Sequence, residues 1–553
     1  VREVAREIAV TFKPLGSKVF VLPGTILLEA AARAGLIIDT PCGGTGKCGK
    51  CRIRVISGVS PADESEIGAL GQAAVDQGYR LACRCRATGP MEVEIPDGSL
   101  FERCHRILET GVGDGSAVEA NDSVDGFGVA FDVGTTTLVG TLVDLKTGAD
   151  LGVTSSMNPQ VMAGDDVVSR ISKCRENKSA LHELQSAVLA EVRAMIGRLA
   201  TSADIDSANI RSAVFAGNTT MEHLLAGIDP SPLGEIPFEP VSCDAISVSG
   251  SELDIGIGAA GSAYVLPLIG GFIGGDTVAG IISGGLDRFE GRGLLIDIGT
   301  NGELVLVSDG KMVAASVAAG PAFEGARIVN GMRAARGAIE KVEYADGDIR
   351  LNVIGACKPQ GICGTGLVDA AAEMLRHGVM DEGGRVGGDG IKNLPAGLKG
   401  RLVQAGDGYD FVLVPAAETE TGSDIHIHQR DVRELQLANG AIRAGIAILL
   451  KVAGLKPEDL DVVLIAGAFG NFIRRRNARR IGMLPPIPSS RIRYIGNAAS
   501  FGAKRILLSG KEKMRAERAA SRTEHVDLSM DPEFQEEFGA AMVFPGAEVD
   551  NCR

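Results

Sequence analysis

The sequence predicts a multidomain chain of mixed α/β and α+β type, in which a small cysteine-bearing domain precedes two similar α/β lobes. Three observations predict it. At 553 residues the chain exceeds what one hydrophobic core supports, so roughly two to four domains each bury their own interior. DTPCGGTGKCGKC, at 39–51, gathers three thiols on one glycine-rich loop. FGVAFDVGTTTLVGTLVDLKTG, at 127–148, returns at 293 as GLLIDIGTNGELVLVSDG, and such a duplication implies two related lobes with a cleft between them.

Taken in chain order, residues 8–22 alternate as strand would, and TILLEAAARAG at 25–35 reads as a helix capped by Thr25 and ended by Gly35. The thiol loop follows. CRIRVISG then resumes as strand, RLACRCR brings further thiols, and MEVEI at 91–95 closes a domain over 1–97. Residues 98–126, polar and glycine-rich in their latter part, read as a linker. The first hairpin opens a lobe over 127–290 and the second a lobe over 291–553.

Composition excludes several function classes. A formal net charge of -14 argues against nucleic acid, whose phosphates call for a basic surface. The N-terminal stretch lacks the apolar centre of a signal peptide, so a cytoplasmic location is expected. YVLPLIGGFIGGDTVAGIISGGL, at 264–286, is long and apolar enough to suggest a membrane helix, but its glycines, its proline and Asp276 favour a buried glycine-rich turn, so no membrane partner is expected.

Eleven cysteines in a reducing compartment point to metal where clustered and to packing where scattered. Cys104, Cys174, Cys243, Cys357, Cys363 and Cys552 form the scattered set. Cys42, Cys48 and Cys51 follow C-x5-C-x2-C, one residue longer in the first gap than the plant-type iron–sulfur spacing and unlike the paired knuckles of zinc ribbons. Gly43, Gly44, Gly46 and Gly49 leave backbone N–H groups free to turn toward cluster sulfurs, which favours iron–sulfur over zinc. Cys83 and Cys85 both offer a fourth thiol. A strand there would send both to one face, so spacing does not choose between them.

The repeated hairpins carry a second chemistry. Asp132 matches Asp297, Gly134 matches Gly299 and Thr135 matches Thr300, while Thr136, Asn301 and Gly302 complete the turns. A Gly-Thr turn offers N–H groups and hydroxyls to phosphate oxygens, and an acid at the strand end can hold hydrated Mg²⁺. One copy would be an ordinary hairpin; two can grip a triphosphate from opposite sides. DVVLIAGAFGNFI, at 461–473, adds a strand and a Gly467-x-x-Gly470 turn that lets backbone approach a flat base.

These three segments resemble the phosphate 1, phosphate 2 and adenosine motifs of the acetate and sugar kinase, Hsp70 and actin superfamily. With GNTTMEH at 217, GFIGGDT at 271, GPAFEGARI at 320, CGTGLVDA at 363 and QRDVRELQLANGAIRAG at 429, the whole chain resembles the reductive activators of corrinoid proteins. The resemblance implies a β-grasp [2Fe–2S] ferredoxin domain followed by a duplicated RNase H-like ATPase fold. It assigns the cluster to Cys42, Cys48, Cys51 and Cys83, the last in an Arg80-to-Cys83 segment of the family type. It makes Asp132, Asp276 and Asp297 the catalytic acids, and Gly134, Thr135, Thr136, Gly299, Thr300, Asn301, Gly302, Gly467 and Gly470 the binders of ATP and its Mg²⁺.

The implied activity is ATP-dependent transfer of a low-potential electron to the cob(II)alamin of a corrinoid protein or cobalamin-dependent methyltransferase, restoring cob(I)alamin. An upstream electron donor is then required, and a homodimer is left open. Three readings compete: an ATP-driven donor to another enzyme such as a radical dehydratase, a small-molecule kinase with a regulatory ferredoxin domain, and a plain electron carrier with a vestigial ATPase fold that would bind no nucleotide. Two departures matter. The C-terminal tail carries only Cys552, so no second cluster is expected, and DIHIHQ at 424–429 has Gln429 where a corrinoid box needs glycine. Its histidines are expected to precede a helix starting near Asp431 rather than to hold metal. Glycine runs at 270–275 and 364–366 are candidate hinges.

Overall fold

The computed structural model describes residues 8–13, 17–34, 36, 38, 46, 49, 51–58, 61–96, 125–164, 166–325, 327–467 and 473–546. Cys42, Cys48, Gly43, Gly44, Gly470, Gly35 and nearly all of the expected linker lie outside these residues.

Five strands form the first sheet: β1 (Ile8–Lys13), β2 (Ser17–Val21), β3 (Arg52–Ser57), β4 (Tyr79–Leu81) and β5 (Met91–Glu94), in the order β2-β1-β5-β3-β4. β1 pairs antiparallel with β2 and parallel with β5, the mixed arrangement of a β-grasp. Alternating Val10, Phe12, Val19, Val21, Ile53 and Val93 turn one face inward onto the helix Leu27–Arg33. That helix starts two residues later than the sequence suggests. The Thr25 hydroxyl donates back to the Leu22 carbonyl at 2.7 Å instead of capping it.

The next sheet contains β6 (Phe127–Val133), β7 (Thr137–Asp144), β8 (Asp150–Met157), β9 (Ile210–Gly217), β10 (Ile246–Ser249) and β11 (Ser262–Val265), in the order β10-β11-β9-β6-β7-β8. The duplicate begins with β12 (Gly293–Ile298), β13 (Gly302–Ser308) and β14 (Lys311–Val317). Inserted after it are β15 (Ala338–Ala345), β16 (Asp348–Val353) and β17 (Gly361–Ile362) in one small sheet, and β18 (Leu402–Ala405), β19 (Gly408–Val414) and β20 (Ile425–Ile427) in another. β21 (Val462–Ala466), β22 (Ile492–Gly496) and β23 (Thr523–His525) complete a sheet ordered β22-β21-β12-β13-β14-β23.

The two large sheets share one wiring. β6 is antiparallel to β7 and parallel to β9, and β9 is parallel to β11; β12 is antiparallel to β13 and parallel to β21, and β21 is parallel to β22. Three antiparallel strands followed by two parallel ones make each lobe RNase H-like, and the fold class expected from the sequence is the one observed.

Helices Gly275–Gly284 and Ala498–Leu508 join the lobes through a shared core of Val278, Ile281, Ile282, Ala503 and Ile506 with Val214 on one sheet and Leu464 on the other. Gly502 permits this crossing, because a Cβ there would lie 2.1 Å from the Ala279 carbonyl oxygen. The apolar run at 264–286 therefore ends in a ten-residue helix inside a core. A longer helix, Gln429–Val452, has the length and composition of a membrane span, yet most of it is buried against the second lobe's core. The glycine runs taken as hinges serve close packing: a Cβ at Gly274 would meet the Gly217 oxygen at 2.3 Å, and one at Gly366 the Ile339 oxygen at 2.2 Å.

Candidate functional site

Strand pairing places the repeated acids. Asp132 and Asp297 are the next-to-last residues of β6 and β12, and three residues connect each strand to the following one. These connections are Gly134, Thr135 and Thr136 in one lobe and Gly299, Thr300 and Asn301 in the other, with Gly302 opening β13. Gly134 N–H donates to the Thr137 carbonyl at 3.1 Å and Gly299 N–H to the Asn301 carbonyl at 3.0 Å, so each turn folds on itself directly after its acid. Thr135 Oγ1 accepts from Asn218 Nδ2 at 2.9 Å, whereas the Thr300 hydroxyl donates to Glu324.

The neighbouring strands extend the repeat further than the sequence suggested. Asp132 is paired with Ala216 and Asp297 with Ala466, so FAG at 215–217 and IAG at 465–467 are equivalent strand ends. Gly467 has φ of 90°, and a Cβ on it would stand 2.8 Å from Asp297 Oδ1 and 2.7 Å from the Ile298 oxygen. Only glycine leaves that approach open.

Asp276, in the first turn of helix Gly275–Gly284, is a third acid close enough for its charge to act on the other two. Burial raises Asp132 to about 7, with Asp276 adding to the rise and the Asn497 amide opposing it. Burial raises Asp297 to about 7, helped by the charges of Asp276 and Asp132. Asp276 itself rises to about 6, chiefly by burial, although Thr277 N–H and hydroxyl hold it down. All three keep partial exposure, so a ligand can reach them.

Two acids that sequence reasoning missed complete the group. Glu303 faces Asp297 across β12 and β13, and burial together with Asp276 and Asp297 pushes its carboxyl well up. Glu222 accepts from Gly217 N–H at 3.0 Å through Oε1, leaves Oε2 buried without a hydrogen bond, and is likewise raised by burial and by Asp276. Burial raises all five carboxyls, and the charge of Asp276 adds to the rise of the other four. A bound divalent cation relieves that repulsion, so the donor set fits Mg²⁺.

The first domain builds its thiol site from Arg80. Its guanidinium is buried against Glu66, with Nε to Oε1 at 3.0 Å and Nη2 to Oε2 at 2.6 Å, and Glu66 Oε1 also accepts from Leu81 N–H at 3.0 Å. This clamp fixes the turn after β4. Cys83 stands in that turn, not on a strand, so Cys83 and Cys85 do not share a strand face. Cys83 Sγ lies 3.3 Å from Cys51 Sγ. Two sulfur ligands on one tetrahedral metal, with bonds of about 2.3 Å, stand about 3.8 Å apart. The charge of Cys85 acts on Arg80. Gly46 and Gly49 have φ of 78° and 67°, the left-handed backbone a tight thiol loop needs. The described part of the loop fits a cluster. Of the scattered cysteines, Cys174 and Cys363 are buried, Cys357 is half-buried and Cys243 is exposed, so packing does not account for the last.

This thiol face meets the second lobe. Arg86 donates to Asn352 Oδ1 and lies 3.7 Å from Glu340, while Gly24 lies against the backbone of Gly355. Lys341 neighbours Glu340 on β15 and feels the charge of Cys83, and burial holds its ammonium below the usual lysine range.

Family models match all three regions: a 2Fe-2S iron-sulfur cluster binding domain over 12–88, the RACo middle region over 127–289, and the C-terminal domain of RACo, the ASKHA domain, over 292–553. The corrinoid activation enzyme RamQ of Eubacterium limosum is 35% identical, with 96% of this chain and 98% of that protein covered. The chain belongs to the reductive activators of corrinoid proteins. A solved structure of a reductive activator for corrinoid, iron-sulfur protein covers 98% of this chain and 99% of its own at 31% identity, with a TM-score of 0.69. A further family member, the [Co(II) methylated amine-specific corrinoid protein] reductase of Methanosarcina barkeri, is 27% identical over 69% of this chain and 70% of its own.

Proposed function

We propose that this chain uses ATP to drive a low-potential electron from its N-terminal [2Fe–2S] cluster to the cob(II)alamin of a partner corrinoid protein or methyltransferase, regenerating cob(I)alamin. The observation that carries the reading is the convergence of Asp132, Asp276 and Asp297 between two matching Gly-Thr turns, in a chain whose other end sets Cys51 and Cys83 side by side. Family membership narrows the acceptor to a corrinoid partner, because the activators RamQ and the solved reductive activator are named for that action.

Each group has a stated part. Cys42, Cys48, Cys51 and Cys83 would hold the cluster, which supplies a one-electron donor when bound. Asp132, Asp276 and Asp297 would hold Mg²⁺ and its waters, and the metal would neutralise phosphate charge. Gly134, Thr135, Thr136, Gly299, Thr300, Asn301 and Gly302 would orient the phosphates, and Gly467 and Gly470 would leave room for the adenosine. The corrinoid belongs to the partner and is its substrate group. A separate reductase or ferredoxin must refill the cluster, and a cytoplasmic setting suits the free thiols.

ATP can assist the uphill electron only by acting differently on two states of the complex. The lobes meet around the cleft, so nucleotide bound there bears on both. The second lobe carries the Glu340–Lys341 surface on which the thiol face rests, giving nucleotide a route to the cluster domain and to the partner's grip. The deciding experiment adds ATP anaerobically to the reduced protein and a purified cob(II) corrinoid protein. Loss of the cob(II) electron paramagnetic resonance signal only with ATP supports the reading. Phosphorylation of a small molecule without cobalt reduction would instead establish the kinase alternative.

A further inference from the structure

We infer that the second lobe carries a site for a first-row divalent metal of the Zn²⁺ class, formed by Asp410, His426 and His428. The three residues converge from separate elements: Asp410 from β19, His426 from β20, and His428 from the position preceding helix Gln429–Val452. One ligand atom from each lies within 4.8 Å of the other two. Two imidazoles and one carboxylate are a donor set that Zn²⁺ and its neighbours favour, and hard cations such as Mg²⁺ do not.

The geometry is close to ligating. His428 Nδ1 stands 2.7 Å from Asp410 Oδ2, and His426 Nδ1 stands 3.9 Å from the same oxygen. Ligands on one tetrahedral zinc, with bonds near 2.1 Å, lie about 3.4 Å apart, between those two distances. The rings lie 5.3 Å apart and 13° from parallel. His426 Nδ1 is buried and makes no hydrogen bond, an orphaned lone pair that a metal would satisfy. Its Nε2 lies 3.3 Å from Asp424 Oδ2, the outer carboxylate that commonly orients a metal-bound histidine. Coordination would replace the His428–Asp410 hydrogen bond, the imidazole keeping its proton on Nε2.

Such a metal would act as a staple. His426 N–H donates to Asn330 Oδ1 at 3.0 Å, and His428 N–H donates at 3.0 Å to Asp431 Oδ2, whose Oδ1 accepts from Val329 N–H at 2.8 Å. Residues 329–330 continue from the segment carrying Glu324, the partner of Thr300. Metal at the triad would tie β19, β20 and the long helix to the chain that frames one phosphate turn.

The test uses full-length, cluster-loaded protein titrated with Zn²⁺ against a competing chromophoric chelator, with iron and sulfide assayed before and after. The wild type should take up one Zn²⁺ more than the His426→Ala/His428→Ala double variant, whose remaining affinity should be at least about 100-fold weaker. Cys85→Ser, which keeps the cluster, should keep that uptake. Equal uptake by wild type and double variant, or loss of uptake in Cys85→Ser, would overturn the proposal. Zinc-edge X-ray absorption of the wild type needs no variant: imidazole scattering with nitrogen and oxygen neighbours supports the site, and a sulfur shell refutes it.

Discussion

Asn497, at the end of β22 in the second lobe, donates through Nδ2 to Oδ2 of Asp132 in the first lobe at 2.7 Å, while its own Oδ1 accepts from Ser500 N–H at 2.9 Å. One asparagine therefore caps a helix and bridges the cleft. Hydrogen bonds to charged groups contribute about 1.5–3 kcal/mol. Asn497→Ala should accordingly weaken Mg²⁺–nucleotide binding by roughly 10- to 100-fold, with the cluster's visible spectrum unchanged. Isothermal titration at pH 8 measures it, and unaltered affinity would remove the bridge from the account.

Burial lifts Asp132 and Asp297 to about 7 in the fold, above their value in the unfolded chain. The folded state then binds protons more readily than the unfolded one, so these groups make stability fall as pH rises from about 4 to about 7. Asp132→Asn removes one such charge. Its melting temperature, relative to wild type, should climb across that window and level off above it, while ATP turnover is lost. Mg²⁺–nucleotide should stabilise wild type more at pH 8 than at pH 6. A difference independent of pH would mean that the fold does not raise the Asp132 carboxyl.

Much of this cleft was legible in the sequence because both halves repeat a strand, an acid and a Gly-Thr turn at the same spacing. Glu222, Glu303 and Asn497 were not. Glu303 falls in an ordinary strand pattern, Glu222 sits in a helix, and Asn497 reads as a helix cap; only the antiparallel pairing of β12 with β13 and the parallel pairing of β6 with β9, of β12 with β21 and of β21 with β22 carry them to the site. The turn at Cys83 was hidden for a similar reason, since Glu66, which fixes it, lies 14 residues before Arg80 and on another element.

That clamp makes a third prediction. Glu66→Ala leaves the buried Arg80 without its carboxylate, a change that costs about 3–5 kcal/mol when a buried pair is broken. The first domain should lose its iron and sulfide while ATP hydrolysis persists. Cys83→Ser should lose the cluster too, and Cys85→Ser should retain it, as iron analysis would record. The reverse pattern for the two cysteines would reassign the fourth ligand.

Lys341 places a cationic side chain beside Cys83 from another domain. Positive charge near an iron–sulfur centre favours its reduced form. Lys341→Met should lower the midpoint potential by on the order of tens of millivolts, read by redox titration. An unchanged potential would mean that the two domains separate in solution.

The central claim is that nucleotide in the cleft changes how the activator holds its partner. Affinities linked in this way are reciprocal: whatever factor nucleotide imposes on partner binding, partner imposes on nucleotide binding. Titration calorimetry of a cob(II) corrinoid protein into the wild type, with and without a non-hydrolysable ATP analogue, measures that factor directly, and Asp297→Ala provides the uncoupled reference. The account predicts a several-fold difference in wild type that vanishes in the variant. Equal partner affinities with and without nucleotide, in both the cob(II) and cob(I) states, would contradict it.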